Sequence, residues 1–510
     1  MKKIVFAMMA LLLLVAAGCS NSSSGGSSSN GGSVAQEITY ATTSDVVGLS
    51  PILTNDSVST AVNSQIYETL FKRNSETMEI EPFLAESYEN PDELTWIIQL
   101  KEGIKFQDGT DFNAEAVKYT FDKFRDPATA APRASLLEPI ESVNVQDEYT
   151  VEIKTKYAYG ALLAALSHSN AAIVSPEADK NGDLMKEPVG TGPFKFVSWT
   201  SGESVVLEKN PDYWQGEAKL DKVTFKVVPE VTTAISMLQS GDVQFITGVP
   251  TEQMDRVEGL KNVEVTKKEG TPVYFFGFNM EKEPMNNLEF RQAVAYALNR
   301  EAYVKQLNGL GIGGNSVIGP KVFGYDEASN DIGYEYNLEK AKELVEKNGF
   351  GDKEYTLLVA NTASYMKMTE ISQSQLQDAG FNIKIETIEW GAFLDTTRSG
   401  NFEMTFQGWT NSTGDGSELL YPNFHSNNVG SSNTVRYNNE AFDKLVEESR
   451  ESVDQDVRAA KLKEANELLV QDAPAIVMNH GVVTLAYDKS VKGLDIDPTG
   501  TWSLYKVYRE

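Results

Sequence analysis

The chain has 510 residues, with 45 Lys and Arg against 73 Asp and Glu, for a formal net charge of -28. That balance supplies no basic stripe for a phosphate backbone, which excludes nucleic acid as a partner. The 3 histidines, His168, His425 and His480, stand outside any metal-ligand pattern such as HExxH, and the acidic residues are scattered, so neither a metal site nor another cofactor is expected.

In chain order, Lys2 and Lys3 come first, followed by an uncharged apolar run over residues 4–17. The run is shorter than the roughly 20 residues of a membrane-spanning helix. Its layout is that of a secretory signal peptide. It ends in Val15-Ala16-Ala17-Gly18-Cys19, which resembles a bacterial lipobox, with Ala16 where most lipoboxes carry Leu. Residues 1–18 are therefore expected to be a signal peptide, and Cys19, the only cysteine, a lipid-modified first mature residue. A lone cysteine also excludes an internal disulfide. Residues 20–33 are nearly all Ser, Gly and Asn, a composition expected to form a flexible tether, so that 19–36 link an anchor to the folded part. A tether directly behind a lipidated cysteine points to the outer surface of a Gram-positive cell membrane.

Residues 37–510 exceed the size at which single apolar cores stop growing, so two or more lobes are expected. The pattern predicts strands over 37–42, 94–100, 149–154, 194–197, 204–208 and 223–228. Helices are predicted over 57–71, from the N-cap Asn113 to Phe124, and over Val231–Ser240. From Val273 onward strand and helix alternate. Strands are expected over 273–278, 356–360, Asn382–Ile388 and 403–408. Helices are expected over 289–298, 337–347, 364–378 (closed by a left-handed Gly380) and 392–399. The first half is strand-rich; the second reads as an α/β lobe.

Several blocks carry a resemblance. Residues 84–88, Leu94-Thr95-Trp96, the run 100–110 with Gln107-Asp108-Gly109, Gly190-Thr191-Gly192-Pro193-Phe194 and Asn210-Pro211-Asp212-Tyr213-Trp214 follow one another in order. Arg291-Gln292-Ala293 and 296–300 continue the series. The chain resembles the family 5 extracellular solute-binding proteins of peptide and nickel ABC importers. Glu389-Trp390-Gly391, Gly408-Trp409-Thr410 and Gly414-Asp415, followed by 472–476 and 491–493, bring it near the dipeptide- and glutathione-binding members. The resemblance implies a two-lobed α/β fold of the periplasmic-binding-protein type (type II, cluster C), with an extra strand-rich subdomain in the N-terminal lobe. Residues 37–274 plus 486–510 are expected to form lobe I, and 275–485 lobe II.

The resemblance also implies a function. The chain is expected to capture di- or tripeptides in a closing cleft and deliver them, as a monomer, to a permease with its ATPase subunits. Asp415 would pair with the ligand ammonium. Gly408, Trp409, Thr410, Tyr365 and Trp390 would line the cleft. Where dipeptide binders carry an Arg for the ligand carboxylate, this chain has Lys367, a point charge rather than a bidentate fork. Glutathione, a nickel chelate or an oligosaccharide are the alternative ligands. A hydrolase is the remote alternative: Ser364 and Lys367 have SxxK spacing, but no SDN or KTG element accompanies them and no GxSxG elbow occurs.

Overall fold

The structure is a computed structural model and describes residues 34–510, so the expectations for the signal peptide and for Cys19 lie outside the described residues. Its frame is a mixed sheet of 11 strands. In spatial order the strands are Asn382–Ile388, Glu354–Ala360, Met404–Thr410, Val263–Phe278, Ala475–Asp488, Phe245–Thr247, Glu37–Thr42, Lys222–Val227, Ser204–Lys209 and Phe194–Thr200. The short Gly311–Ile312 pairs with Ala475–Asp488 off this path. A separate four-stranded antiparallel sheet, Ala85–Asp92, Thr95–Leu100, Thr150–Thr155 and Ile140–Asp147, supplies the extra strands of the N-terminal half.

Two long strands hold the frame together. Val263–Phe278 runs antiparallel to Ala475–Asp488, from Val263 opposite Asp488 to Gly277 opposite Ala475. The register slips between Glu269 and Val273, where Gly270, Thr271 and Pro272 replace regular ladder residues. Proline has no N–H to give to a ladder, and glycine lets the backbones approach. An added Cβ at Gly481 would meet Pro272 Cβ at 3.0 Å.

The apolar cores divide on either side of this slip. One collects Ile38, Val62, Phe121, Phe194, Phe225 and Phe245, and takes in Leu485, Trp502 and Leu504 from the chain's end. Beyond the slip, alternate side chains of Val263–Phe278 serve opposite faces, as the period of two in a strand requires. Phe276 and Phe278 enter a core with Phe290, Leu357, Leu376 and Phe406. Val273 and Phe275 enter another with Leu420, Phe442, Leu462 and Val477. Burial of both faces explains the continuous apolar runs there.

The expected strands and helices are present, with shifted ends. The helix expected over 57–71 stops at Ile66. Tyr67 is extended, and the Ile66 carbonyl accepts a 2.8 Å bond from Gly192 N–H instead of a helical one. The strand expected over 273–278 extends back to Val263. The helices Glu440–Arg450 and Gln455–Asp472 complete the C-terminal half.

Candidate functional site

The strands Glu354–Ala360 and Asn382–Ile388 run parallel, and Met404–Thr410 is parallel to the first. Their C-terminal ends therefore lie on one side of the sheet. The helices Ala363–Asp378 and Trp390–Ser399 start there, and so does the loop 411–416. In open α/β sheets that end is where ligands bind.

The loop is held from within. Asn411 Nδ2 donates to the Asp415 carbonyl at 2.7 Å, and Asn411 Oδ1 accepts from Thr413 Oγ1 and Gly414 N. Asp415 is 4% exposed. Its Oδ1 accepts from Ser417 N and Oγ, and Arg458 Nη2 lies 2.8 Å from both carboxylate oxygens. The Arg458 guanidinium in turn sits over the Phe323 ring, 4.9 Å from its centroid. Asp415 is thus already paired inside its own half of the molecule.

Residues from the other core close onto the same loop. His168 Nε2 is 2.9 Å from Ser412 Oγ, and Arg133 Nη2 donates to that oxygen at 3.3 Å. The His168 Nδ1 accepts from Asn170 N, so the ring proton sits on Nε2 and is donated to Ser412. Burial first, and then Arg133 and Arg73, push the His168 pKa down to about 3, which keeps the ring neutral. Arg73 donates to Ser167 Oγ and lies against the loop, since a Cβ added to Gly414 would come 2.8 Å from its Nη1. Tyr159 Oη donates to Glu418 at 3.1 Å, and Gly160 N donates to the Arg450 carbonyl at 3.2 Å. Arg450 stacks on Tyr421, 3.8 Å from the ring centroid.

The expected cleft residues are brought together only in part. Gly408 and Tyr365 meet: a Cβ on Gly408 would lie 3.1 Å from Tyr365 Oη and 2.6 Å from Tyr274 Cδ1. The Tyr365 ring packs edge-on to Tyr274 and Phe406 at 6.1 and 5.8 Å, and burial raises its hydroxyl pKa. Trp409 points to the opposite sheet face, half-buried against the core of Val273 and Phe424. Thr410 is exposed beside Pro272. Lys367 is exposed near the start of Ala363–Asp378 and makes no ion pair among the described residues. Trp390 is 45% exposed and stacks on Phe393 at 5.8 Å, at the first turn of its helix. Sequence reasoning passed over Arg73, Arg133, Tyr159, His168, Ser412, Glu418 and Arg458. They are spread over nearly 400 positions and share no local motif; only the fold assembles them.

The model of the bacterial extracellular solute-binding proteins, family 5, matches residues 79–431. The chain belongs to this family. It is a solute-binding protein of an ABC importer, working outside the cytoplasm, in a family of non-catalytic substrate carriers. A glutathione-binding protein GsiB of Escherichia coli O1:K1 is 32% identical over 478 residues, covering 91% of this chain and 93% of that one. Two solved structures superpose over 93% of this chain. DppA of Helicobacter pylori, an ABC transporter-associated periplasmic binding protein in complex with the peptide STSA, is 29% identical, with 98% of its chain covered and a TM-score of 0.79. HbpA2 of Haemophilus parasuis is 27% identical, with 100% of its chain covered and a TM-score of 0.82. The fold is accordingly the two-lobed cluster C arrangement of periplasmic binding proteins. Among the described residues no helix is long and apolar enough to cross a membrane.

Proposed function

We propose that the chain captures a short peptide or a peptide-like solute such as glutathione between its lobes and passes it to a membrane permease driven by ATPase subunits. The observation that carries this reading is the convergence of Arg133, His168 and Tyr159, from one core, on the loop from Asn411 to Glu418, from the other. The GsiB relative is a glutathione-binding protein and the H. pylori neighbour is in complex with the peptide STSA, which supports the same class. Lobe I is 37–274 plus 486–510 and lobe II is 275–485. They hinge where the two long strands slip register at Gly270, Pro272 and Gly481. Tyr365 and Gly408 form one wall, the exposed Trp390 flanks it, and Lys367, which makes no ion pair among the described residues, is a cation available to a ligand carboxylate. Trp409 and Thr410 carry the strand into the ligand-facing loop. The protein acts as a monomer, anchored through Cys19.

Asp415 has two competing roles. Pairing with a ligand ammonium would require sharing the carboxylate with Arg458. Its burial and its bonds to Arg458 and Ser417 favour the second role, ordering the loop that presents Ser412. The test is calorimetric titration of the full chain with reduced glutathione, di- and tripeptides, N-acetylated peptides, an oligosaccharide and a nickel–histidine chelate. Binding of glutathione or free peptides is expected. A response confined to the sugar or the chelate would overturn the ligand class. Under the loop-ordering role, acetylated peptides bind about as well as free ones. A loss on acetylation of about tenfold or more, matched by Asp415→Asn, would restore the ammonium role.

A further inference from the structure

We infer that Asn308-Gly309 is a site of spontaneous modification, where the Asn308 side-chain amide leaves as ammonia and a carboxylate takes its place opposite Asp255. The pair sits between the helix Arg300–Lys305 and the strand Gly311–Ile312. Leu310 N donates to the Leu307 carbonyl at 2.9 Å, and φ is positive at both central residues, 50° at Asn308 and 78° at Gly309. That is the type I′ turn for which Asn-Gly is suited. The other Asn-Gly pairs among the described residues are held differently. Asn181 and Asn348 are the last residues of the helices Pro176–Asn181 and Leu338–Asn348, and their Nδ2 groups donate back to the Glu177 and Leu344 carbonyls. Gly349 N is occupied as well, by the Glu346 carbonyl. Gly309 is exposed, and its N–H makes no hydrogen bond among the described residues.

The Gly309 nitrogen, on losing its proton, attacks Asn308 Cγ. A C–N bond forms to close a cyclic imide, and Nδ2 departs as ammonia with that proton. Water then adds to either imide carbonyl, one C–N bond breaks, and aspartate or isoaspartate remains. Ionisation of the Gly309 N–H spreads negative charge onto the Asn308 carbonyl oxygen. Lys267 Nζ donates to that oxygen at 3.4 Å, and a Cβ added to Gly309 would lie 3.5 Å from the same ammonium. A cation so placed favours the ionised peptide. Glu258, 2.8 Å from Lys267 Nζ, moderates its charge, and Asp255 Oδ1 restrains the side chain by accepting from Asn308 Nδ2 at 2.8 Å. That bond ties two cores together. Asp255 belongs to the helix Met254–Glu258, packed through Met254 and Val257 on Val263, whereas Asn308 follows Tyr303 and Leu307, which enter the core of Phe276 and Phe290. A carboxylate at 308 has no proton to donate, so the bond to Asp255 becomes a repulsion between like charges.

The test incubates the full chain at mildly alkaline pH in heavy-oxygen water and reads its peptides by mass spectrometry, which marks each newly made carboxylate. Asn308 should convert faster than Asn181 and Asn348. Lys267→Met removes the cation and should slow the conversion by about threefold or more. Asp255→Ala frees the side-chain amide and should speed it. A near-ultraviolet circular dichroism spectrum like that of the unaltered chain shows that each variant is folded. Asn308→Asp stands for the product, and hydrogen exchange of the amides over 307–312 should be faster in it than in the unaltered chain. Conversion of Asn308 no faster than that of Asn181 and Asn348, or a rate indifferent to both Lys267→Met and Asp255→Ala, would overturn the site. Unchanged exchange in Asn308→Asp would overturn the loosening of the contact with Asp255.

Discussion

Glu68 shows how much one side chain can organise. It is 5% exposed, and three donors close on its carboxylate: Tyr213 Oη at 2.6 Å, Thr191 Oγ1 at 2.7 Å and Trp214 Nε1 at 2.9 Å. Those donors come from two sequence landmarks, Gly190–Phe194 and Asn210–Trp214, whose role the sequence does not disclose. The fold makes both of them structural. Gly192 lies against the Ile66 carbonyl, where an added Cβ would be 2.6 Å from the oxygen, and Gln107 Nε2 donates to the Gly192 and Phe194 carbonyls. These two of the blocks that carry the family resemblance thus serve the core of Ile38, Phe121 and Phe225, which Phe194 enters and Trp214 packs against. Burial outweighs the donors and raises the Glu68 pKa to about 7 from 4.5. The folded state therefore binds this proton more tightly than the unfolded chain. Its stabilising contribution is full below about pH 4.5 and is lost as pH rises through about 7, by an amount of about 3 kcal/mol. Urea unfolding at pH 5 and pH 8 should show that loss in the unaltered protein and not in Glu68→Gln. Parallel pH dependence in the two would show that Glu68 keeps an ordinary pKa.

Among the elements, those with strong local patterning were legible and those defined by partners were not. Val231–Ser240 and Asn382–Ile388 stand where periodicity predicts them, and Asn113 caps its helix by accepting from Ala116 N. The front half of Val263–Phe278 escaped because Lys267, Lys268 and Glu269 read as solvent-facing, although Ala475–Asp488 covers them with ladder bonds. The site escaped for a related reason. Arg458 reaches Asp415 across 43 positions and Arg133 reaches Ser412 across 279, which no local pattern records. A close approach between the halves is also invisible in sequence. Gly160, beyond the strand Thr150–Thr155, lies on the link between the last two long helices, and an added Cβ would overlap the Ser452 carbonyl oxygen and the Arg458 side chain. Backbone cannot retreat as a flexible side chain can. Gly160→Ala should therefore leave both cores folded while preventing the halves from meeting. Small-angle scattering with saturating ligand should show a larger radius of gyration than for the unaltered protein, and affinity should fall about tenfold or more, as closed-state contacts are lost. An unchanged radius and affinity would mean that Gly160 does not limit closure.

For the whole molecule the argument turns on where so acidic a carrier is kept. A net charge of -28 keeps the protein soluble and does not attract it to an anionic membrane surface. No helix among the described residues can hold it there either. The anchor proposed for this carrier is Cys19, behind an apolar run of signal-peptide length. One acyl chain binds a bilayer only marginally, whereas two or more anchor durably at about 0.8 kcal/mol for each buried CH₂. The diacylglyceryl thioether proposed for Cys19 would supply two such chains. Expressed in a Gram-positive host, the unaltered chain should sediment with membranes and enter the detergent phase on Triton X-114 partition. Cys19→Ser should appear in the aqueous phase, or remain as unprocessed precursor, with ligand affinity unchanged after purification. Membrane retention of processed Cys19→Ser would place the anchor elsewhere. Loss of ligand affinity in that variant would tie the N-terminal segment to the binding site, which the contacts around Ser412 give no reason to expect.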